Sequence, residues 1–334
     1  MSNNTPIVDN KFLKILNSDT FLRTVGLIHS TITNATFEFF RSKGIISVHL
    51  PVTTGSITSP MGLGSDSLPV KIKLFENEVY LADSMQFHLE YLLRLFPDKL
   101  GVHYVMPTFR GEETDKRHLS QFYHSESEIN GTLEDVMILI DDYLKFLCHK
   151  LLEEHKEFLL SQQYDLTHIE NFLKLNIPRV RFHEIRKLLN DEKAFVKDEI
   201  HNFYQLTNLG EKKILEHYGS PVWVTNYPAK SVPFYQKLDD DKETTRNADL
   251  LMGIGEVVGC GERCDTVDEV LTNMSNLNVD RDQYEWYLQM KTLSPKTTSG
   301  FGLGVERFIM WILGCEDIRK IPLISRSNNE NIVP

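Results

Sequence analysis

The apolar residues of this 334-residue chain change period along its length, and that change limits the folds open to it. From about Lys11 to Phe40, residues Phe12, Leu13, Leu16, Phe21, Leu22, Val25, Ile28 and Ile32 recur at helical spacing. From Gly44 the pattern shifts to a short apolar run, Ile45-Ile46-Ser47-Val48-His49-Leu50, which reads as a strand stopped by Pro51. Thr132 with Asp135 makes a capping-box start. The stripe Leu133, Val136, Met137, Ile140, Tyr143, Leu144, Leu147 and Leu151 then predicts a helix. The stretch 156–218 is more polar, mixes helical signals with breaks such as Ile177-Pro178, and reads as a partly helical insertion. Pro221 to Thr225 and Leu251 to Cys260 read as strands, and Val305 to Leu313 as a helix ended by Gly314. Strands dominate the middle and helices flank them without a strict βαβα alternation. The expected class is therefore α+β with a mostly antiparallel sheet.

Composition narrows function by exclusion. With 41% hydrophobic residues, including 19 Phe and 12 Tyr, the chain has too much to bury for disorder to be its main state. No apolar run is long enough to span a membrane, and Met1 to Asn10 is too polar for a signal peptide, so a cytoplasmic protein is expected. The 36 Lys+Arg against 47 Asp+Glu give a net charge of −11, which argues against a surface built wholly for nucleic acid while leaving room for a local basic patch. Four cysteines (148, 260, 264, 315) are too sparse for a disulfide scaffold, and no second Cys or His pair completes a zinc site with Cys260 and Cys264.

Three segments carry candidate chemistry. In Phe109-Arg110-Gly111-Glu112, an Arg and a Glu two apart on a strand share a face. That pair could grip a phosphate and an amine, or equally be a solvated ion pair. Asp249 and Glu256 lie on a stretch rich in glycine. Two carboxylates suit Mg²⁺ beside nucleotide phosphates, but they equally suit surface acids at the ends of a strand. Gly300-Phe301-Gly302-Leu303-Gly304-Val305-Glu306-Arg307 leads into the last helix, with Arg307 in a first turn where the helix dipole disfavours a cation unless an anion is near. Neither a dinucleotide glycine fingerprint nor a GxxxxGK[ST] loop is present.

Taken in order, these segments resemble the signature motifs of class II aminoacyl-tRNA synthetases, most closely the asparaginyl-tRNA synthetase catalytic core. Gly44 to Pro51 is similar to motif 1, Phe109 to Phe122 to motif 2, and Gly300 to Arg307 to motif 3. Ser84 to Glu90, Val224 to Pro228, Pro233 to Tyr235 and Gly253 to Gly259 match further blocks, so the resemblance runs from about Thr31 to Arg326.

The resemblance implies a class II core, with motif 1 building a homodimer, and ATP and Mg²⁺ as cofactors. It assigns the α-phosphate to Arg110 and the adenine or reactive-amine side to Glu112. Arg117 and His118 would meet the terminal phosphates. Phe122 would stack on adenine, with Arg307 on the other face reaching the γ-phosphate. Asp249 and Glu256 would hold the metal, and Ser84 and Gln86 the backbone end of the amino acid. Leu89 and Glu126 stand where aspartate-specific relatives carry a lysine and an aspartate. Glu126 with Arg263 would therefore suit a side-chain amide, and asparagine is favoured over aspartate.

Departures also shape the expectation. Gln121 replaces a usual Glu, Cys260-Gly261 a usual Gly-Ser, Thr298-Ser299 a usual His-Gly, and Ile324-Ser325-Arg326 a usual Phe-Pro-Arg. No N-terminal anticodon-binding barrel precedes the match, so a single catalytic domain over 1–334 is expected. On that ground the first expectation is an ATP-dependent, AMP-forming ligase. It would activate asparagine or an analogue and transfer the acyl group to ammonia or an amine, as in stand-alone asparagine synthetases of archaeal type. The alternatives are aminoacylation of tRNA and synthesis of asparagine from aspartate.

Overall fold

The computed structural model describes residues 20–58, 63, 68–189 and 191–328. In chain order its elements are α1 (Thr20–Ser42), β1 (Ile46–Ser47), β2 (Thr53–Thr54), β3 (Val70–Leu74), β4 (Asn77–Leu81), α2 (Gln86–Leu95), β5 (Gly101–Phe109) and β6 (Gln121–Asn130). Then follow α3 (Leu133–Ser161), α4 (Thr167–Lys174), β7 (Arg179–Arg181), α5 (Phe182–Leu189), β8 (Phe195–Asp198), β9 (Phe203–Leu206) and α6 (Asn208–Tyr218). The last part holds β10 (Val222–Thr225), β11 (Asn247–Met252), β12 (Gly255–Glu262), α7 (Val267–Leu277), α8 (Glu285–Leu293), β13 (Thr298–Gly304) and α9 (Val305–Leu313).

An eight-stranded sheet in the order β1-β5-β6-β13-β12-β11-β10-β7 organises the molecule. Its interior strands pair antiparallel, as expected, while the two edge strands β1 and β7 pair parallel to their neighbours. Alternation along the strands separates two faces. Ala248, Leu250, Val258, Cys260, Phe301 and Leu303 join one core with α1, α3 and α9. Asp249, Gly259, Glu126 and Gly302 line a cleft. In that core Tyr143 of α3 shares hydrogen bonds with Thr36 of α1 (2.7 Å) and Ser125 of β6 (3.0 Å), so its buried hydroxyl is satisfied.

The capping box at Thr132 and Asp135 forms, and Gly314 ends α9 in the left-handed conformation at φ 60°. Helix α1 reaches Ser42, and the part of the expected helix before Thr20 lies outside the described residues. Two expectations need correction. The Gly44–Pro51 strand is only two residues long. Val48 N still donates to His103 O at 2.9 Å, but the chain then leaves for β2, whose partner is β4 in a separate three-stranded sheet. The run Leu251–Cys260 is not one strand. Gly253, at φ 62°, takes a left-handed turn that folds β12 back on β11. The polar stretch after α3 begins past Ser161. It packs its own cluster around Phe182, Ile185, Phe195 and Ile214, and joins the main sheet through β7.

Candidate active site

The hairpin turn at Gly253 brings Asp249 and Glu256 together. Glycine at 259, opposite Asp249 in the register, makes room for them: an added Cβ there would lie 2.9 Å from Glu256 Oε1 and 3.6 Å from Asp249 Oδ1. Burial, reinforced by the Glu256 charge, pushes the Asp249 carboxyl well above the usual carboxylate range. A divalent cation would reverse that penalty. Among the described residues no three His, Cys, Asp or Glu side chains converge as a metal site. An ion held by Asp249 and Glu256 would therefore complete its shell from phosphate and water, the habit of magnesium.

Three arginines gather beside this pair. Arg110 follows β5, and its backbone N–H donates to Ser120 O at 3.0 Å, fixing the start of the loop. Its guanidinium lies over Phe122 at 5.5 Å from the ring centre. Arg307, in the first turn of α9, donates to Glu256 O at 2.7 Å and sits 3.7 Å from Glu256 Oε2. Arg117 is paired with Glu211 of α6. Glu211 escaped the sequence reading because nothing local marks it; only the packing of α6 against the β12 hairpin brings it to the cleft. Glu112 and His118 complete a cavity of about 100 Å³ with these groups, with His118 Nδ1 3.0 Å from Asp115 Oδ1. Arg110 Nε, Arg117 Nε and Glu112 Oε2 are buried without a hydrogen-bond partner among the described residues. A cavity lined by spare donors and one spare acceptor suits a polyphosphate with an amino-bearing base.

A larger cavity of about 480 Å³ opens from the first, sharing Arg110, His124, Glu256 and Gly302 with it. Ser84, Gln86, Leu89, Glu126 and Arg263 all line it. Ser84 Oγ donates to Glu126 Oε2 at 2.6 Å, and His124 Nδ1 lies 2.9 Å from Glu126 Oε1. Burial alone would raise the Glu126 carboxyl, but His124, Ser84 and Tyr104 hold it below its ordinary range, so it faces the cavity as an anion. Leu89 is buried at the wall with Met85, Leu93 and Tyr104, so among the described residues no cation answers Glu126 from that side.

Arg263 differs from expectation in one respect. Its Nε and Nη2 are taken by Glu128, at 3.1–3.2 Å. Gln236, with each end of its amide facing a complementary partner, donates to Glu262 O and accepts from Arg263 Nη1, both at 3.2 Å. Glu128 was legible: it stands two residues beyond Glu126 on β6 and so faces the same side. Gln236 lies in a loop that no local signal marks. Glu306, beside Arg307, accepts the Tyr123 N–H at 3.0 and 3.1 Å and ties α9 to β6. Burial pushes its carboxyl up to about 7.

The family tRNA synthetases class II (D, K and N) matches residues 5–328. The chain belongs to this family. The synthetase is 32% identical over 318 residues to an asparagine–tRNA ligase of Bacillus cereus, covering 88% of this chain and 68% of that one. With an asparagine–tRNA ligase of Thermoplasma acidophilum it shares 28% identity over 322 residues, covering 94% and 71%. The crystal structure of asparaginyl-tRNA synthetase from Pyrococcus horikoshii complexed with asparaginyl-adenylate superposes with a TM-score of 0.82 at 28% identity, over 93% of this chain and 70% of that one. The synthetase is thus a class II, ATP-dependent ligase, close in sequence and structure to asparaginyl-tRNA ligases. No described helix is long and apolar enough to cross a membrane.

Proposed function

We propose that the synthetase activates asparagine with ATP as asparaginyl adenylate, releasing pyrophosphate, and passes the asparaginyl group to tRNA. The observation that carries this is one continuous cleft. Its first part gathers three arginines with Glu256, and its second adds Asp249 and an anchored Glu126, with no lysine among the described lining residues. In the reaction a carboxylate oxygen of the amino acid attacks the α-phosphorus, and the bond to the bridging oxygen of pyrophosphate breaks. Positioning and charge neutralisation suffice, with no protein nucleophile. Arg110 would steady the α-phosphoryl oxygens, while Arg307, Arg117 and His118 would receive the departing pyrophosphate. Phe122 would lie against adenine, and Glu112 would accept its amine. Mg²⁺ on Asp249 and Glu256 would add neutralising charge. Glu126 would accept the substrate's amide N–H, and Arg263, held by Glu128, would donate to its oxygen. A substrate carboxylate would instead meet Glu126 as a like charge.

The Bacillus and Thermoplasma relatives are both named asparagine–tRNA ligases, which favours tRNA over ammonia or an amine as the acceptor. A single catalytic domain, a homodimer through the β1 edge and a cytoplasmic location belong to the same proposal; free cysteines suit a reducing compartment. Amino-acid-dependent exchange between ATP and labelled pyrophosphate tests activation, and asparagine should be preferred in a full panel. Exchange with no amino acid would remove the proposal. Given exchange, acylation of tRNA compared with AMP release on adding ammonia decides the acceptor.

A further inference from the structure

Gln86 opens α2 with its side chain in the amino-acid cavity. Its amide nitrogen donates to Glu90 one turn on, and its amide oxygen is buried without a partner among the described residues. Glu90 is fully buried. Its Oε1 accepts from the Tyr287 hydroxyl at 2.8 Å, and the Lys291 ammonium lies 2.6 Å from its Oε2. Lys291, also buried on α8, donates to the Cys264 carbonyl at 2.6 Å. Arg94 stands 3.7 Å from Glu90 Oε2, and Arg263 and Glu128 are the next charges around it. Neither Glu90 nor Lys291 lines either cavity.

An ionised carboxylate can only accept hydrogen bonds. With a cation beside it in a dry site, Glu90 stays ionised and can hold Gln86 only through its NH₂ group. The amide oxygen is then the end left without a partner among the described residues, on a side chain that lines the cavity. An α-ammonium group is purely a donor, and that oxygen is its complement. We propose that Lys291 is a positioning residue for amino-acid binding: through Glu90 it fixes which end of the Gln86 amide meets the substrate's α-ammonium group. This rests on the activation of an amino acid proposed above.

The test is Lys291→Met in the full chain, by ATP–pyrophosphate exchange. Lys291→Met removes the ammonium at 2.6 Å and leaves Arg94, at 3.7 Å, as the nearest cation, so a proton on Glu90 costs less. The protonated carboxyl can donate to Gln86 Oε1 and release the amide to turn. The KM for asparagine should rise about 10- to 100-fold, the loss of one hydrogen bond to a charged group. The KM for ATP should stay unchanged, and Lys291→Arg should restore the asparagine KM. Succinamate, which is asparagine without its amino group, should inhibit wild type and variant equally. An unchanged asparagine KM overturns the proposal. Succinamate weakened as much as asparagine also overturns it, because Lys291 would then act through Arg263, the neighbour of Cys264. If Lys291→Met does not fold, the double variant Glu90→Gln with Lys291→Met removes both charges of the pair and leaves a neutral amide at position 90 that can present either end. The same rise in asparagine KM is expected there, and its absence overturns the proposal. Wild type inactive with every amino acid would remove the activation reading as well, a result distinct from these.

Discussion

On the proposed function, single side chains would decide which amino acid the cleft accepts. Leu89 closes one wall of the larger cavity and Glu126 is held in place by Ser84 and His124. Replacing Leu89 with Lys and Glu126 with Asp supplies a cation and shortens the anion, so relative exchange rates should move from asparagine toward aspartate by at least about 10-fold. Equal ratios in wild type and variant would remove the pocket argument. The residues behind that argument were read from the resemblance, which sets Leu89 and Glu126 where aspartate-specific relatives carry a lysine and an aspartate. What supports them was harder to see. Gly261, one of the departures from the family pattern, is explained by Gln236, whose amide fills the space a Cβ would need on its way to Arg263. The two are far apart in sequence, and neither carries a signal by itself.

Elements set how the cleft is held open. An added Cβ at Gly300 on β13 would overlap Glu128 Oε2 and come within 2.7 Å of Arg263 Nη2 and of the Ser127 carbonyl. Both side chains are buried, so Gly300→Ala should separate a dry ion pair and cost about 3–5 kcal/mol. Chemical denaturation would show this, and a loss under about 1 kcal/mol would count against a close-packed pair. The junction of β6 and α9 makes a pH prediction. Glu306 is raised to about 7 in the fold, against 4.5 as its ordinary value. As pH climbs through 4.5 the unfolded chain ionises first, so this group's contribution to stability is complete below that value. It falls until about pH 7, then levels off. Glu306→Gln should therefore gain on wild type by about 2–3 kcal/mol between pH 5 and pH 8 in urea unfolding. A constant gap across that range would show that Glu306 titrates normally. At this scale the sequence was legible where periodicity was long, as in α3 and α9. It was misleading where a single glycine turned the chain, as at Gly253 between β11 and β12.

For the whole molecule, the proposed homodimer would place α1 and β1 at a twofold contact. Leu27 and Phe37 of α1 are exposed, and a cavity of about 560 Å³ runs beneath Phe37 to Tyr123 and Leu323. Sedimentation should give twice 38.7 kDa, and Phe37→Glu should shift the species toward 38.7 kDa. A wild-type protein that sediments as a single chain at micromolar concentration would exclude the dimer. Antiparallel architecture was expected from the lack of a βαβα rhythm, but the strand order was not, because it depends on which distant segments meet. That order has a consequence for synthesis on the ribosome. Strand β13 is late in the chain yet lies between β6 and β12, and Arg307 follows directly upon it. Until this last segment leaves the exit tunnel, β6 and β12 have no shared neighbour to join them. Between the emergence of β12 and that of β13 a nascent chain would accordingly carry two unpaired strand rims, and it would have no nucleotide pocket until the continuous sheet and its chemistry arrive in one late step.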